Sequence, residues 1–296
     1  GQLNSPVEQL MQFIYSLQDV KISLERINEI HEIHNEDSNY QAITFFPKET
    51  NLSLRLQQVD FKYDPHALNN TLSNINFTIP QGKVTAIVGT SGSGKTTIIK
   101  LLLGYYHVQK GQISIGGINI EYYNLKWWRN QCGVVMQDGI IFSESIAHNI
   151  AVDDKDIDTN RMIMAARIAC IDEYIMRLPL KYNTLIGQDG IGLSQGQKQR
   201  ILIARAIFKN PQYIFLDEAT NALDANNERS IVKNLSDFYK GRTVVVVAHR
   251  LSTVRHADQI IVLNKGIVAE VGTHEELISI RGNYYNLIKN QLELGS

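Results

Sequence analysis

The chain is short of cysteine, has no long hydrophobic run and carries no excess of charge. Its two cysteines, Cys132 and Cys170, cannot form a disulfide framework or a multi-cysteine zinc module, and their scarcity suits a reducing compartment. No stretch approaches the ~18 consecutive apolar residues that a membrane-spanning helix requires. The 29 basic and 30 acidic residues nearly cancel, which excludes a general attraction to nucleic acid or anionic lipid.

The composition is that of a globular protein, with 44% hydrophobic and 20% charged residues in a chain of 296. This length allows one large domain or two ordinary ones. The first ten residues contain neither an initiator methionine nor the basic and apolar regions of a signal peptide. We therefore expect the chain to be a fragment of a longer protein or a cleaved product.

Residues 7–33 are predicted to form one long helix with a narrow apolar seam. The run HNEDSNYQ at 34–41 breaks the pattern and is predicted to be a linker. The seam is consistent with packing on the chain's own domain and with packing against helices of another segment. It consists of residues at alternating spacings of three and four, namely Leu10, Phe13, Leu17, Val20, Leu24 and Ile27.

From residue 52 onward, strand patterns alternate with helical patterns, which predicts an α/β fold with a mainly parallel sheet. The apolar alternation of the first strand changes phase at Val59. The predicted strands cover residues 52–61, 75–79, 83–88, 213–217 and 243–248, and a hairpin at 259–271 turns at Asn264-Lys-Gly266. The predicted helices cover residues 96–103, 160–172, 197–208 and 227–239, with a terminal helix from His274.

Between the strand at 83–88 and the following helix, GTSGSGKT matches the phosphate-loop pattern G-x-x-x-x-G-K-[ST]. Its glycines allow the backbone N–H groups to surround a triphosphate, and the helix N-terminus adds partial positive charge. Lys95 is expected to contact the β- and γ-phosphates, and Thr96 to ligate Mg²⁺. A glycine- and serine-rich turn that matches by chance is disfavoured by the flanking strand and helix. The predicted phosphate contacts are Gly89, Thr90, Ser91, Gly92, Ser93, Gly94, Lys95, Thr96 and Thr97.

Polar residues follow three further predicted strands. In YIFLDE, Asp217 is placed to hold metal-bound water and Glu218 to act as general base on the attacking water, unless one of them only caps a following helix. His249 follows the strand at 243–248, where it would orient water or sense the third phosphate. Gln137 ends GVVMQ, from which its amide would reach Mg²⁺ and the attacking water.

The order of these motifs resembles the ATP-binding domain of an ABC transporter. LSQGQKQR at 193–200 is similar to the LSGGQ signature of that family, and it precedes LDE at 216–218 and NALD at 221–224. The resemblance covers about residues 52–290 and implies a P-loop NTPase fold. That fold has a RecA-like parallel core sheet, an antiparallel β subdomain and a helical signature subdomain.

The resemblance also implies roles for residues that match the family's motifs. Tyr63 in FKYDP matches the aromatic residue that stacks on adenine, and Asp224 matches an acid at the dimer interface. The signature residues Ser194, Gly196 and Gln197 match those that bind the γ-phosphate of the other subunit's ATP. The implied catalytic residues are Glu218, His249, Gln137 and Lys95, and the implied metal ligands are Thr96, Gln137 and Asp217.

Three positions depart from the family's pattern. Gln195 replaces the first signature glycine, but the second, Gly196, is kept, so function should survive. Asn221 replaces a serine and keeps a short polar side chain. In NTLIGQDG at 183–190, Gln188 replaces an acid, which puts a charged contact from this loop to the membrane helices in doubt.

The loop at 183–190 and the segment at 137–150 are similar to those of exporters. Residues 1–40 resemble the cytoplasmic end of the last transmembrane helix, plus a linker, of peptide exporters that carry a cysteine peptidase, and 41–296 resemble their ATP-binding domain. This implies hydrolysis of ATP with Mg²⁺ that drives peptide or bacteriocin export, at the cytoplasmic face of a bacterial inner membrane. The implied partners are a second copy in a head-to-tail ATP sandwich, the coupling helices of the same protein's transmembrane domain and, indirectly, the transported peptide, but no nucleic acid.

Two other functions remain to be weighed. A soluble ABC-type ATPase acting on nucleic acid or ribosomes would usually have coiled-coil insertions or tandem ATPase domains. Here the interval of about a hundred residues between the phosphate loop and the signature contains no heptad insertion, and the chain is near-neutral. A catalytically inactive regulatory module is disfavoured by Lys95, Glu218 and His249. Cys132 and Cys170 are interpreted as small core residues. The aromatic cluster either packs internally or forms a groove for a coupling helix, and consists of Tyr122, Tyr123, Trp127 and Trp128.

Overall fold

The computed structural model describes residues 4–32, 42–48, 50–152, 156–219, 225–248 and 254–294. Its contacts divide the chain into two units, Gly1–Ala42 and Ile43–Ser296. In the described part of the first unit lies helix α1 (Asn4–Glu32), where a long helix was predicted. The predicted linker lies outside the described residues. Within the described part of the chain, no helix combines the length and the apolar character that a membrane crossing demands.

The second unit contains ten strands and nine helices of the α type among its described residues, with two short 3₁₀ helices at Ile120–Tyr122 and Lys181–Asn183. The strands are β1 (Leu54–Phe61), β2 (Leu72–Ile79), β3 (Val84–Gly89), β4 (Lys110–Ile115), β5 (Ile118–Asn119), β6 (Cys132–Val135), β7 (Tyr213–Asp217), β8 (Thr243–Val247), β9 (Gln259–Asn264) and β10 (Ile267–Gly272). The helices are α2 (Lys95–Leu102), α3 (Leu125–Asn130), α4 (Ile146–Ile150), α5 (Thr159–Ile168), α6 (Asp172–Arg177), α7 (Gln195–Phe208), α8 (Ala225–Tyr239), α9 (His274–Ile280) and α10 (Asn283–Leu294).

Six strands form the central sheet in the order β10-β9-β3-β8-β7-β6. All of its neighbouring pairs are parallel except β9 and β10, which form the predicted hairpin at one edge. The turn of this hairpin places Lys265 and Gly266 in left-handed conformations, with φ of 48° and 78°. The predicted α/β fold with a mainly parallel sheet is therefore confirmed.

Both faces of the central sheet are covered, because alternate residues of its strands enter two different cores. On β7, Ile214 and Leu216 pack with residues of α4, α5, α7 and α8. Tyr213 and Phe215 point to the opposite face and pack with α2, α3 and the antiparallel strands. Strands buried on both sides read as continuous apolar runs, which is why 213–217 and 243–248 were recognisable in the sequence.

The remaining four strands form an antiparallel sheet in the order β2-β1-β4-β5. The phase change in β1 has a structural cause: the pairing register shifts between Leu56 and Val59, and Gln58 has a φ of 49°. This bulge adds a residue to the strand, so that Leu54, Leu56, Val59 and Phe61 all remain buried.

Two predicted helices are interrupted. The helical pattern at 160–172 belongs to α5 and α6, which are separated by Cys170 in a left-handed conformation (φ 53°). The terminal helix is likewise divided into α9 and α10 by Arg281 (φ 55°). Both helices of each pair bury one face, so the apolar periodicity continues through each break. The sequence pattern alone therefore did not reveal the two breaks. Strands β4 and β5 were not predicted.

Candidate nucleotide site

Several of the predicted site residues lie at one edge of the central sheet, because β3, β6, β7 and β8 are parallel. Gly89 ends β3 and Asp217 ends β7, and these strands flank β8. The carboxyl ends of parallel strands are the usual location of ligand sites in α/β proteins. Gln137 lies two residues beyond the end of β6 and is exposed, so it does not itself end the strand as predicted.

The phosphate loop has a backbone that only glycine accommodates at Gly89. A Cβ atom there would lie 2.3 Å from the carbonyl oxygen of Leu263 and 2.6 Å from Oγ of Ser93. Further along the loop, Gly92 and Gly94 have φ of 74° and 98°. These left-handed conformations cost glycine little, and they turn successive N–H groups toward one side of the loop. The loop therefore fits the cradle that a triphosphate requires.

Lys95 reaches into this loop from the first position of α2. Its side chain is buried, and Nζ donates hydrogen bonds to the carbonyl oxygens of Gly89 and Thr90, at 3.0 and 2.9 Å. An ammonium group has three donors, which leaves one for a phosphate oxygen. Burial lowers the pKa of Lys95, while the nearby carboxylates of Glu218 and Asp217 raise it. The charged form is thus partly supported in the absence of nucleotide.

Asp217 is the second buried charged group of this candidate site. Its side chain is completely buried, and neither carboxylate oxygen has a hydrogen-bond partner of normal geometry among the described residues. Burial raises the pKa of Asp217, although the adjacent Thr96 hydroxyl and the charges of Lys95 and Lys100 oppose this shift. An unpartnered buried carboxylate is costly and is normally paired or bound to metal.

The chemistry of the three predicted metal ligands fits magnesium. Thr96, Gln137 and Asp217 offer hydroxyl, amide and carboxylate oxygens, which are the ligands that Mg²⁺ prefers. Among the described residues, no three His, Cys, Asp or Glu side chains cluster as a separate metal site. This agrees with the usual mode of Mg²⁺ binding, in which one or two protein oxygens act together with substrate phosphates and water.

Glu218 follows Asp217 in a left-handed conformation, with φ of 53°. Such a conformation costs a residue with a long side chain about 1–3 kcal/mol. Two hydrogen bonds hold the backbone there: its N–H donates to the carbonyl oxygen of Val247 at 3.1 Å, and its carbonyl oxygen accepts from Nε2 of Gln199 at 2.9 Å. With about 1 kcal/mol for each bond, these contacts are comparable to the strain. Sequence reasoning had assigned no role to Gln199.

Tyr63 contacts α2, the helix that follows the phosphate loop. Its hydroxyl forms a 3.1 Å hydrogen bond with the hydroxyl of Thr97 in α2, so the ring is attached to the helix that carries Lys95. The ring packs edge-on against Phe61 and Tyr106, and the side chain remains 46% exposed. Exposed ring surface beside the phosphate loop suits a stacked base. Tyr106 was not predicted, although GYYH directly after α2 would have indicated it.

The signature residues begin α7. Ser194 is the N-cap residue: its hydroxyl accepts from the N–H of Gln197, whose side chain accepts from the N–H of Ser194. This capping box stabilises the start of the helix. Gly196 lies in the first turn. The predicted position of the signature at a helix N-terminus is therefore observed, and Ser194 and Gln197 have a structural contact there.

Asn221, Asp224 and His249 lie outside the described residues. The loop containing Gln188 runs along the segment that follows Gln137, since the Gln188 N–H donates to Oγ of Ser143.

The aromatic cluster is mainly internal. Tyr123 and Trp128 are buried, and Phe46 packs against Tyr123, Trp127 and Trp128. Tyr122 is exposed. For Tyr123 and Trp128, packing is therefore the better interpretation. Cys132 is buried and Cys170 partly buried, in keeping with their interpretation as small packing residues.

The sequence profile of a family described as "ABC transporter" matches residues 72–221, slightly more than half of the chain. The chain belongs to the ABC transporter family. The resemblance inferred from the motifs is thereby confirmed at the level of an ABC transporter ATP-binding domain.

Individual relatives agree with this assignment. The chain is 42% identical over 294 residues to the exotoxin translocation ATP-binding protein PaxB of Pasteurella aerogenes, covering 99% of this chain and 40% of that protein. It is 41% identical, with 99% and 41% covered, to the leukotoxin translocation ATP-binding protein LktB of Mannheimia haemolytica. The chain thus spans about two fifths of the length of the curated relatives it matches.

A solved structure also resembles this chain. It is described as a bacterial Atm1-family ABC exporter with ATP bound, and it superposes with a TM-score of 0.85 at 34% sequence identity. The similarity covers 98% of this chain and 50% of the exporter chain. The P-loop NTPase fold of an ABC ATP-binding domain is therefore confirmed in structure as well as in sequence.

Proposed function

We propose that this ABC transporter domain binds and hydrolyses MgATP, and that hydrolysis drives export of a peptide or bacteriocin across a bacterial membrane. The observation that carries the proposal is the buried, unpartnered carboxylate of Asp217 beside the phosphate loop and Glu218. The names of the toxin-translocating relatives support transport over a soluble ATPase acting on nucleic acid or ribosomes. Because the chain spans only part of those relatives, the transport cycle, substrate and partners all belong to the proposal.

Binding of ATP is assigned to the two sides of the phosphate loop. The loop from Gly89 to Gly94 surrounds the phosphates with backbone N–H groups, and the ammonium group of Lys95 supplies the counter-charge. Thr97 contacts a phosphate through its hydroxyl, and Tyr63 stacks on the base. The hydrogen bond between Tyr63 and Thr97 supports this assignment, since it joins the base contact to the phosphate contact.

Thr96, Asp217 and Gln137 would hold Mg²⁺, either directly or through water. When bound, Mg²⁺ supplies positive charge that neutralises the phosphate oxygens. The chain's own contribution at this point is the exclusion of water around Asp217, which strengthens every charge interaction in the site.

Hydrolysis is assigned to Glu218, whose carboxylate accepts the proton of the attacking water. A general base of this kind contributes about 10²–10⁴-fold to the rate. His249 is proposed to orient the water or contact the γ-phosphate, and Gln137 to report nucleotide state to the membrane domain.

The complete site is proposed to require a second copy of the chain. Ser194, Gly196 and Gln197 stand at the start of α7, a helix of 14 residues whose N-terminal N–H groups attract anions. In a head-to-tail dimer they would contact the γ-phosphate of the partner's ATP, with Asp224 at the interface. ATP would then bridge the subunits, and hydrolysis would remove the bridge.

The remaining surfaces are assigned to a transmembrane domain of the same full-length protein at the cytoplasmic face of an inner membrane. Exposed apolar side chains from the segment after Gln137 and from the exporter-like loop are proposed to contact coupling helices, namely Ile140, Phe142, Leu185 and Ile191. Residues 1–40 are proposed to extend the last transmembrane helix. The seam of α1 supports this, because its apolar side chains are exposed. At the finer level, we propose a peptide exporter that carries a cysteine peptidase.

The decisive experiment compares wild-type protein with Glu218→Gln. The substitution keeps the side chain's size, removes the base and relieves repulsion with the triphosphate. We expect hydrolysis about 10²–10⁴-fold slower and an ATP-dependent dimer by light scattering, whereas wild type dimerises only transiently. A Lys95→Ala, Glu218→Gln double variant is the control and should stay monomeric. Wild-type turnover in Glu218→Gln would remove Glu218 as the base, and an unchanged monomer mass would contradict the sandwich.

Two further tests address the proposed boundaries. Deleting residues 1–40 should leave ATP binding and thermal stability largely unchanged, and an insoluble or markedly less stable product would show that α1 belongs to the ATPase domain. The reading frame that encodes residues before Gly1 should specify six membrane helices and a cysteine peptidase. A frame with the helices but without the peptidase would contradict only the finer assignment.

A further inference from the structure

The signature helix α7 is connected directly to the backbone of Glu218. Gln199 lies one turn beyond the N-cap residue Ser194, and its side chain is 9% exposed. Its Nε2 donates a 2.9 Å hydrogen bond to the carbonyl oxygen of Glu218. A buried amide in this position fixes the orientation of the peptide that follows the proposed base.

The conformation at Glu218 makes this contact more than a packing detail. Glu218 has a φ of 53°, which a residue with a long side chain seldom adopts, and its N–H is tied to Val247 in β8. The left-handed conformation is therefore maintained by neighbours rather than by local preference. Since α7 supplies one of these contacts, a displacement of α7 changes the support of the Glu218 backbone.

We propose that Gln199 is a positioning residue that couples the two nucleotide sites of the dimer. It connects the N-terminus of α7, which faces the partner's ATP, to Glu218, which acts on the ATP of its own subunit. When the partner's nucleotide binds at Ser194, the first turn of α7 shifts. Gln199 then passes this shift to the backbone of Glu218, which orients the base. This inference rests on the proposed function, because it requires both the ATP sandwich and the role of Glu218.

The rigidity of the start of α7 supports transmission through Gln199. The capping box between Ser194 and Gln197 stabilises the first turn, and Arg200 is held by hydrogen bonds to the carbonyl oxygens of Gly196 and Cys170. A helix end fixed in this way moves as a unit when a ligand binds at its N-terminus. Gln199 lies between these contacts and carries the motion toward β7.

The test is substitution of Gln199 by methionine, which has nearly the same size and no donor. In this variant we expect kcat for ATP hydrolysis to fall about tenfold, with KM for ATP changed less than twofold. We also expect wild type to hydrolyse ATP with a Hill coefficient above one and the variant with a Hill coefficient of one. Gln199→Glu should behave alike, because an ionised carboxylate cannot donate to the Glu218 carbonyl oxygen.

Asn234→Asp is the matched control, since it likewise alters a partly buried side-chain amide that donates to a backbone carbonyl oxygen, here that of Ile168 at the end of α5. It should lower thermal stability without changing the Hill coefficient. Equal loss of kcat in Gln199→Met and Asn234→Asp would overturn the inference, as would unchanged cooperativity in Gln199→Met or a wild-type Hill coefficient of one. If wild type did not hydrolyse ATP, the proposed function itself would be wrong, and this inference would be wrong with it. If the Glu218→Gln experiment succeeded and Gln199→Met behaved as wild type, only this inference would fail.

Discussion

The ends of β3 and β7 lie at the same candidate site, but the left-handed backbone conformations that follow them fall on different types of residue. After β3, the left-handed conformations fall on Gly92 and Gly94, for which they cost little. After β7, the left-handed residue is Glu218, which cannot be glycine if it is to act as a base. Under the proposed function, the backbone contacts phosphate at the first end, whereas the second end needs a side chain to activate water. Only the second end therefore requires external support, and Gln199 and Val247 provide it.

The buried charged side chains at the two strand ends also differ in their hydrogen bonding. Lys95 is buried but donates to two carbonyl oxygens of its own loop, whereas neither oxygen of Asp217 has a normal partner among the described residues. Burial is the first cause of both pKa shifts, down for Lys95 and up for Asp217. Burial of charge therefore opposes stability at both ends in the absence of nucleotide.

The largest expected effect comes from adding one methyl group in the phosphate loop. Gly89→Ala places a Cβ 2.3 Å from the Leu263 carbonyl oxygen, so β3 and β9 must separate locally. We expect a loss of about 2–3 kcal/mol in the free energy of unfolding, together with loss of ATP binding. Denaturant unfolding and calorimetry with ATP measure the two quantities.

Gly92→Ala is the matched control for that prediction. No atom lies within 4 Å of a Cβ at Gly92, so only its φ of 74° is strained. The free energy of unfolding should fall by about 1 kcal/mol. Equal destabilisation by the two substitutions would mean that the close approach of Gly89 to Leu263 is unimportant.

An intermediate effect is expected from Asp217→Asn, because it removes a buried charge whose oxygens have no hydrogen-bond partner of normal geometry among the described residues. A carboxyl group with a raised pKa in the folded state reduces stability as the pH rises above its ordinary value of 3.8. Without nucleotide, Asp217→Asn should therefore melt higher than wild type near pH 7, by about 2–4 °C for a gain of about 1 kcal/mol. The difference should shrink as the pH falls toward 4.

The same variant should lose the additional stabilisation that MgATP gives to wild type. Thermal unfolding between pH 4 and 8, with and without MgATP, tests both parts. Loss of the attraction between Asp217 and Lys95 opposes the gain in stability, but burial is the first cause of the shift at each group. A lower melting temperature of Asp217→Asn at pH 7 without nucleotide would show that the carboxylate is compensated after all.

The smallest effect concerns the strain at Glu218. Glu218→Gly and Glu218→Gln should both lack the base, but only glycine relieves the left-handed conformation. We expect the glycine variant to exceed the glutamine variant by about 1 kcal/mol in free energy of unfolding. If urea denaturation gave the reverse order, the side chain's own contacts would outweigh the strain, and the contrast between the two strand ends would disappear.

The amino-acid sequence determined those features that depend on neighbours along the chain. The phosphate loop was predictable because glycine conformation, strand and helix occur within about twenty residues, and the shift in phase at Val59 indicated the bulge in β1. The capping box was also within reach, since Ser194 and Gln197 stand three positions apart, a spacing typical of that motif. Asp224 remains a prediction from the resemblance alone, whereas His249 remains a prediction from its place after a buried strand and from the resemblance.

Tertiary structure alone decided the features that depend on packing between distant segments. Cys170 interrupts a helical pattern that remains apolar on both sides, and Arg200 bonds its carbonyl oxygen from 30 residues away. Likewise, Gln199 and Glu218 are 19 residues apart, and nothing in either local pattern requires them to meet. Side-chain periodicity records which residues are buried, not which polar groups satisfy one another once buried. The burial of Asp217 without a normal partner and the support of Glu218 by α7 therefore became visible only after the sheet and α7 had been brought together.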